Sequence, residues 1–75
     1  MRTSFRIHSI LDYPTLGEVQ LMERLIRSRS GKYTKPQLWK LLRGKMAYRA
    51  FCIAFSYLEE THRISRDGNG AVHWL

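Results

Sequence analysis

The order of elements in the second half of the chain narrows the fold more than any other feature. Thr34-Lys35-Pro36-Gln37 supplies a threonine cap, a proline in the first turn where its missing amide is harmless, and a glutamine that reaches back to the cap. Leu38, Leu41 and Leu42 then form an apolar stripe with Trp39 beside it, while Lys35, Lys40 and Arg43 face outward. Gly44 ends this helix, predicted over 34–43, and a longer one is predicted over 45–62. With Phe51 at the centre of its buried face, Ala47, Tyr48, Ala54, Phe55, Leu58 and His62 fall on the same side, and Arg49, Ile53, Ser56 and Glu60 fall opposite. The tail over 63–75 alternates, with Ile64, Val72 and Trp74 on one side and Ser65, Arg66 and His73 on the other. Asp67-Gly68-Asn69-Gly70 between them is the strongest hairpin signal in the chain. Trp74 is expected to clamp this hairpin to the first and third helices.

The first half carries one further helix. Thr15 and Glu18 stand at capping-box spacing, and Leu16, Val19, Leu21 or Met22, Leu25 and Ile26 recur at helical intervals. A helix over 15–30 follows, fraying through Ser28-Arg29-Ser30-Gly31. Ahead of it, Phe5 and Ile7 alternate with Arg6 and His8, so 1–13 reads as an arm or a short strand, stopped at Asp12-Tyr13-Pro14. Tyr33 serves either as a hydrophobic staple or as a strand of one to three residues. The expected fold is a single mainly α domain over 1–75 with a small β-hairpin, an α+β architecture without repeat or linker.

Composition limits the function. Seventy-five residues bury only roughly 60–65% of the surface of the unfolded chain, so the core must be dense or helped by a partner. Two tryptophans, four tyrosines and three phenylalanines suffice for a small core and argue against disorder. One cysteine excludes an internal disulfide and suits a reducing cytoplasm. No apolar run reaches the roughly 20 residues of a membrane helix, and no secretion signal opens the chain. The formal charge of +7 and pI near 10.2 favour anionic partners. Distribution says more than the total: Arg24, Arg27, Arg29, Lys32, Lys35, Lys40, Arg43, Lys45 and Arg49 lie in a stretch, Arg24 to Leu58, with no acidic residue.

From Lys32 to Leu75 the chain resembles the winged helix-turn-helix DNA-binding superfamily, especially its small stand-alone prokaryotic members. The matching pieces are Tyr33-Thr34-Lys35-Pro36-Gln37-Leu38-Trp39-Lys40-Leu41-Leu42, the turn Arg43-Gly44-Lys45, and Tyr48-Arg49-Ala50-Phe51 with Phe55-Ser56-Tyr57-Leu58-Glu59-Glu60. Leu58-Glu59-Glu60, three residues, Ile64, a turn and the strand Val72-His73-Trp74 complete the match. The resemblance covers somewhat more than half the chain and is to a fold rather than to one activity. It implies a three-helix winged helix-turn-helix whose third helix enters a major groove.

On that footing the expected function is a double-stranded DNA-binding transcriptional regulator, cytoplasmic and nucleoid-associated when bound. Lys35, Lys40, Arg43 and Lys45 are the candidates for phosphate contact, and Arg49 is the candidate for a base edge, its planar fork suiting guanine. Ser56 is a secondary candidate for a phosphate, and Arg66, read at the tip of the hairpin beside Asp67, is one for the minor groove or the backbone. Each has a plainer role as a solvated polar group. The alternative is a protein-interaction module within a larger complex, contacting its partner through Trp39, Ile53 and Tyr57. RNA stays open as a third partner, and a homodimer paired through the first helix and the arm is expected if two half-sites are read. Nothing suggests an enzyme, a cofactor or a metal: His8, His62, His73 and Cys52 have no ligand spacing, so Cys52 reads as a packing residue.

Overall fold

A computed structural model describes residues 13–75. The arm expected over 1–13 therefore lies, apart from Tyr13, outside the described residues. Three helices, α1 (Leu16–Ser28), α2 (Lys35–Leu42) and α3 (Tyr48–Glu60), precede an antiparallel hairpin of β1 (Ile64–Arg66) and β2 (Val72–Trp74). The architecture is mainly helical α+β in a winged-helix-like layout, as the element order predicts.

Both predicted capping boxes form. The Glu18 amide donates to Thr15 Oγ1 at 3.1 Å while the Thr15 amide donates to Glu18 Oε1 at 2.9 Å. Thr34 and Gln37 repeat the exchange at 3.5 Å and 2.8 Å. Each cap satisfies amides that a helix start leaves without partners, and contributes about 1 kcal/mol.

α3 is shorter than the periodicity suggests. Gly44 takes φ +95, Lys45 N donates to Leu42 O at 2.9 Å, and Met46 bridges back to Arg43. This turn puts the Met46 side chain into the core, 7% exposed, and leaves Ala47 as an extended N-cap with no side-chain bond. Lys45 accordingly stands in the turn rather than on the helix. At the other end Thr61 caps α3, and His62 N and Arg63 N donate to Glu59 O and Leu58 O at 3.1 Å and 2.9 Å. That is a Schellman closure with His62, at φ +61, in the left-handed position. His62 is consequently exposed rather than buried. Ala47 and Tyr48 are exposed as well, whereas Ala50 is buried, so the inward face is rotated from Phe51 towards Ala50 and Ala54.

The core joins all three helices and the sheet: Met22 and Ile26 from α1, Leu38 and Leu42 from α2, Phe51, Phe55 and Leu58 from α3, Ile64 and Val72 from the hairpin. Leu16 and Leu41, assigned to apolar stripes by spacing, are exposed instead.

The hairpin pairs Ile64 with Trp74, Ser65 with His73 and Arg66 with Val72. Asp67 organises its turn: its Oδ1 accepts from the amides of Asn69 and Ala71 at 2.9 Å and 3.0 Å, and its own amide donates to Ala71 O at 3.0 Å. The outer edge of β2 is met by the segment before α2. Val72 N donates to Tyr33 O and Val72 O accepts from Gly31 N, both at 2.8 Å, and Thr34 bridges Ala71. Tyr33 thus lies in the short strand-like piece that was one of its two expected roles. Trp74 is pinned to the end of α1, its amide donating to Ser30 Oγ at 2.8 Å and its ring lying 5.2 Å below the Arg27 guanidinium.

Gly31, at φ +78, passes so close to the His73 ring that an added Cβ would sit 2.8 Å from Cε1. Gly44 has φ +95 with nothing within 4 Å of such a Cβ. Gly44→Ala should therefore cost only backbone strain, about 1 kcal/mol, and Gly31→Ala distinctly more, about 2 kcal/mol or above. Urea denaturation of the two variants checks this; equal losses would show that the His73 ring yields freely.

Candidate nucleic-acid interface

The acid-free stretch folds into two groups of cations. Arg24, Arg27, Arg29 and Lys32 belong to the last turns of α1 and the loop after it, and all four are exposed. Lys40, Arg43, Lys45 and Arg49 belong to the junction of α2 and α3, and these too are exposed. Lys40 lies on the outward side of α2, Arg43 is its C-cap, Lys45 is in the turn, and Arg49 is the second residue of α3. Lys40, in the last turn of α2, also sits where a positive charge favours the helix dipole, by about 0.3–1 kcal/mol.

Four of the carboxylates are partnered elsewhere. Glu23 Oε2 meets Arg63 at 3.2 Å, Glu59 Oε2 meets Arg66 Nε at 2.8 Å, and Asp67 Oδ2 meets His73 Nε2 at 2.9 Å. Glu18 is engaged in its capping box. All three basic partners come from the hairpin and its lead-in. Among the described residues, no carboxylate lies within ion-pair distance of Arg24, Arg27, Arg29, Lys32, Lys35, Lys40, Arg43 or Lys45.

Two expected contact residues occupy different ground. The Lys35 ammonium lies 5.0 Å from the centroid of the fully buried Phe55 ring, and the Arg66 guanidinium lies 5.4 Å from the same centroid. Both cations lid the aromatic core, an attraction of about 0.5–1 kcal/mol each at exposed positions. Arg66 is within β1 and not at the tip of the hairpin, which is made by Gly68, Asn69 and Gly70. Ser56 is exposed on α3, where it lines a groove of about 410 Å³ with Tyr13, Cys52, Ile53, Tyr57 and Glu60.

Trp39, Ile53 and Tyr57, grouped in the sequence as one protein-contact patch, separate in space. Trp39 joins an aromatic cluster with Tyr48 and Phe51, at centroid distances of 5.0 Å and 5.3 Å. Ile53 and Tyr57 instead face α1 across a second groove of about 450 Å³, lined also by Tyr13, Leu16 and Val19. Leu16 is 73% exposed at its rim. Sequence reasoning missed Leu16 and Tyr13, and also Tyr48, which was placed on the buried face. The available signal for Tyr48 was its position directly after the turn, where a helix has not yet met the core.

Tyr48 and Asp67 are electrostatically set apart. Cys52, one turn along α3, raises the Tyr48 phenol above its ordinary range, first through a side-chain hydrogen bond and then through its charge. Asp67 is held below the usual carboxylate range, first by the bond to His73 and then by the amides of Ala71 and Asn69. Among the described residues no three His, Cys, Asp or Glu side chains gather as metal ligands, and no helix is long and apolar enough to cross a membrane. No family model, curated protein or solved structure matches the chain.

A carboxyl whose folded-state pKa is depressed adds stability above its unfolded value and loses it as pH falls through the folded one. The hairpin should therefore weaken as pH drops below about 4, the ordinary carboxylate range. Asp67→Asn should flatten that part of the stability profile, measured as melting temperature against pH. An acid limb of unchanged slope in the variant would remove Asp67 from the account.

Proposed function

We propose that this protein binds nucleic acid, laying the α2–α3 junction against the backbone of duplex DNA. Lys40, Arg43 and Lys45 meet phosphates, and Arg49 reaches a base edge from the first turn of α3. The observation that carries this reading is the unequal pairing of charge. Glu23, Glu59 and Asp67 all pair with a cation of the hairpin or its lead-in, and among the described residues no carboxylate lies within ion-pair distance of the cations from Arg24 to Lys45. Phosphates are the ligands that such a surface favours, with affinity set by counterion release.

α3 is polar along its length in the sense this contact needs. Arg49 stands at its start, while Glu59 and Glu60 close its last turn and would be repelled by a phosphate brought near. Tyr13 and the groove it lines lie against the middle of the outward face. The contact is accordingly confined to the first turn, which takes Ser56 out of it, and Arg66 stays with Glu59. In this reading the protein acts as a transcriptional regulator or another DNA-associated factor.

The Tyr13–Leu16–Ile53–Tyr57 groove supports a second reading, a docking site for a protein partner. Leu16 gives it an apolar rim that nothing in the described chain covers. Ile53→Asp should then abolish capture of that partner and leave duplex binding as it was.

Titrating duplex affinity against salt tests the first reading. Three to four neutralised phosphates give a slope of log K on log salt of roughly −3 to −4. Lys40→Ala should lower that slope by about 1 on all duplexes alike, and Arg49→Ala should relax sequence preference by about 1–3 kcal/mol. An absence of binding at low salt sinks the proposal, and identical behaviour of the two variants removes the base-edge role of Arg49.

A further inference from the structure

Phe51, Trp39 and Tyr48 form a run of rings from the core to the surface. Phe51 is fully buried, Trp39 is half-buried 5.3 Å from it, and Tyr48 stands 5.0 Å from Trp39 at an interplanar angle of 72°. Tyr48 also leans over Phe51 at 27° and 6.3 Å, yet stays 56% exposed. A ring with one side on the core and that much surface in solvent is a platform rather than a core residue.

Exposed cations flank this platform along the chain. Lys40 neighbours Trp39 in α2, Arg49 neighbours Tyr48 in α3, and Arg43 and Lys45 occupy the turn that joins the two helices. No acidic residue occurs between Arg24 and Leu58. An exposed aromatic among cations is the combination that holds unpaired nucleotides, the cations following the backbone while the ring stacks on a base. A base inside a duplex is already stacked on both faces and offers only its edges to the grooves, so the interior of a duplex gives Tyr48 nothing to stack on.

We propose that Tyr48 is a stacking platform for one unpaired base, and that the preferred ligand is nucleic acid with an unpaired base beside the gripped backbone, as at a duplex overhang. This rests on the nucleic-acid reading above and narrows its ligand. Arg43 and Lys45 hold the phosphates leading into the unpaired strand, and the Trp39 edge keeps the Tyr48 ring in place.

Fluorescence anisotropy at low salt tests this with three labelled duplexes: blunt, carrying a short overhang, and carrying the same overhang built from abasic sugars. Overhangs of both polarities are used. The abasic form keeps the phosphates and removes the bases, so it isolates stacking from charge. The wild-type protein should bind the base overhang at least about fivefold more tightly than the abasic one. Tyr48→Leu should bring the base overhang down to the abasic value, and Tyr48→Phe should keep the preference. Equal binding of the two overhangs by the wild type overturns the stacking proposal and leaves the backbone reading standing, and so does a preference that survives Tyr48→Leu. Binding to none of the three overturns both.

Discussion

The backbone of Val72 is the point on which the rest of the structure depends. On one edge it pairs with Arg66 in the hairpin, and on the other its amide and carbonyl are taken by Tyr33 and Gly31. Its side chain is 1% exposed in the core shared by the helices. A single residue thus fixes the loop between α1 and α2, the entry angle of α2 immediately after Thr34, and the return of the hairpin. Gly31 suits this position because its φ of +78 is left-handed and the His73 ring lies 2.8 Å from where a Cβ would sit. The His73–Asp67 contact in turn joins this corner to the turn of the hairpin. The α2–α3 junction inherits its placement from this pairing, since α2 is only eight residues long and begins at the paired segment.

Much of this was readable from the chain, for reasons that differ by element. Thr15, Glu18, Thr34 and Gln37 act on amides three residues away, so local spacing is enough to place two helix starts. Asp67-Gly68-Asn69-Gly70 likewise defines its turn by itself. The start of α3 is different, because Lys45, Met46 and Ala47 are all good helix formers and no side chain marks the cap. What stops the helix there is the burial of Met46 and its bridge to Arg43, a tertiary demand invisible to periodicity. The same cause misplaced Tyr48 and Ala47, which a continuous helix with Phe51 inward would have buried, while His62 was misplaced by the left-handed closure at the other end of α3.

The candidate site was legible as a list of cations and not as a surface. Which cations stay uncompensated depends on where the carboxylates go, and Glu23 finds Arg63 across 40 residues of sequence. The three pairs are exposed or partly so, and pairs of that kind contribute at most about 1 kcal/mol each. Their consequence is therefore more electrostatic than energetic: they cancel the hairpin's positive charge and leave that of the middle of the chain standing. Trp39, Ile53 and Tyr57 show the converse limit. They read as one patch along the chain, but α3 carries Ile53 and Tyr57 on a side away from the ring cluster that Trp39 joins.

α3 consequently has two ends of opposite character. Its first turn offers Tyr48 and Arg49 beside the cations of the turn, and its second half offers Ile53 and Tyr57 with Glu60 along the grooves shared with Tyr13. An anionic ligand is favoured at the first and opposed at the second, while an apolar partner finds contact area only at the second. The two surfaces need not compete, because a ligand on one covers none of the side chains that would hold a ligand on the other. For a domain with so small a core, dividing one helix in this way sets a cationic face and an apolar groove apart without adding chain. It also explains why Leu16 and Tyr48, both large and both exposed, lie at opposite flanks of the same helix rather than together in one apolar patch.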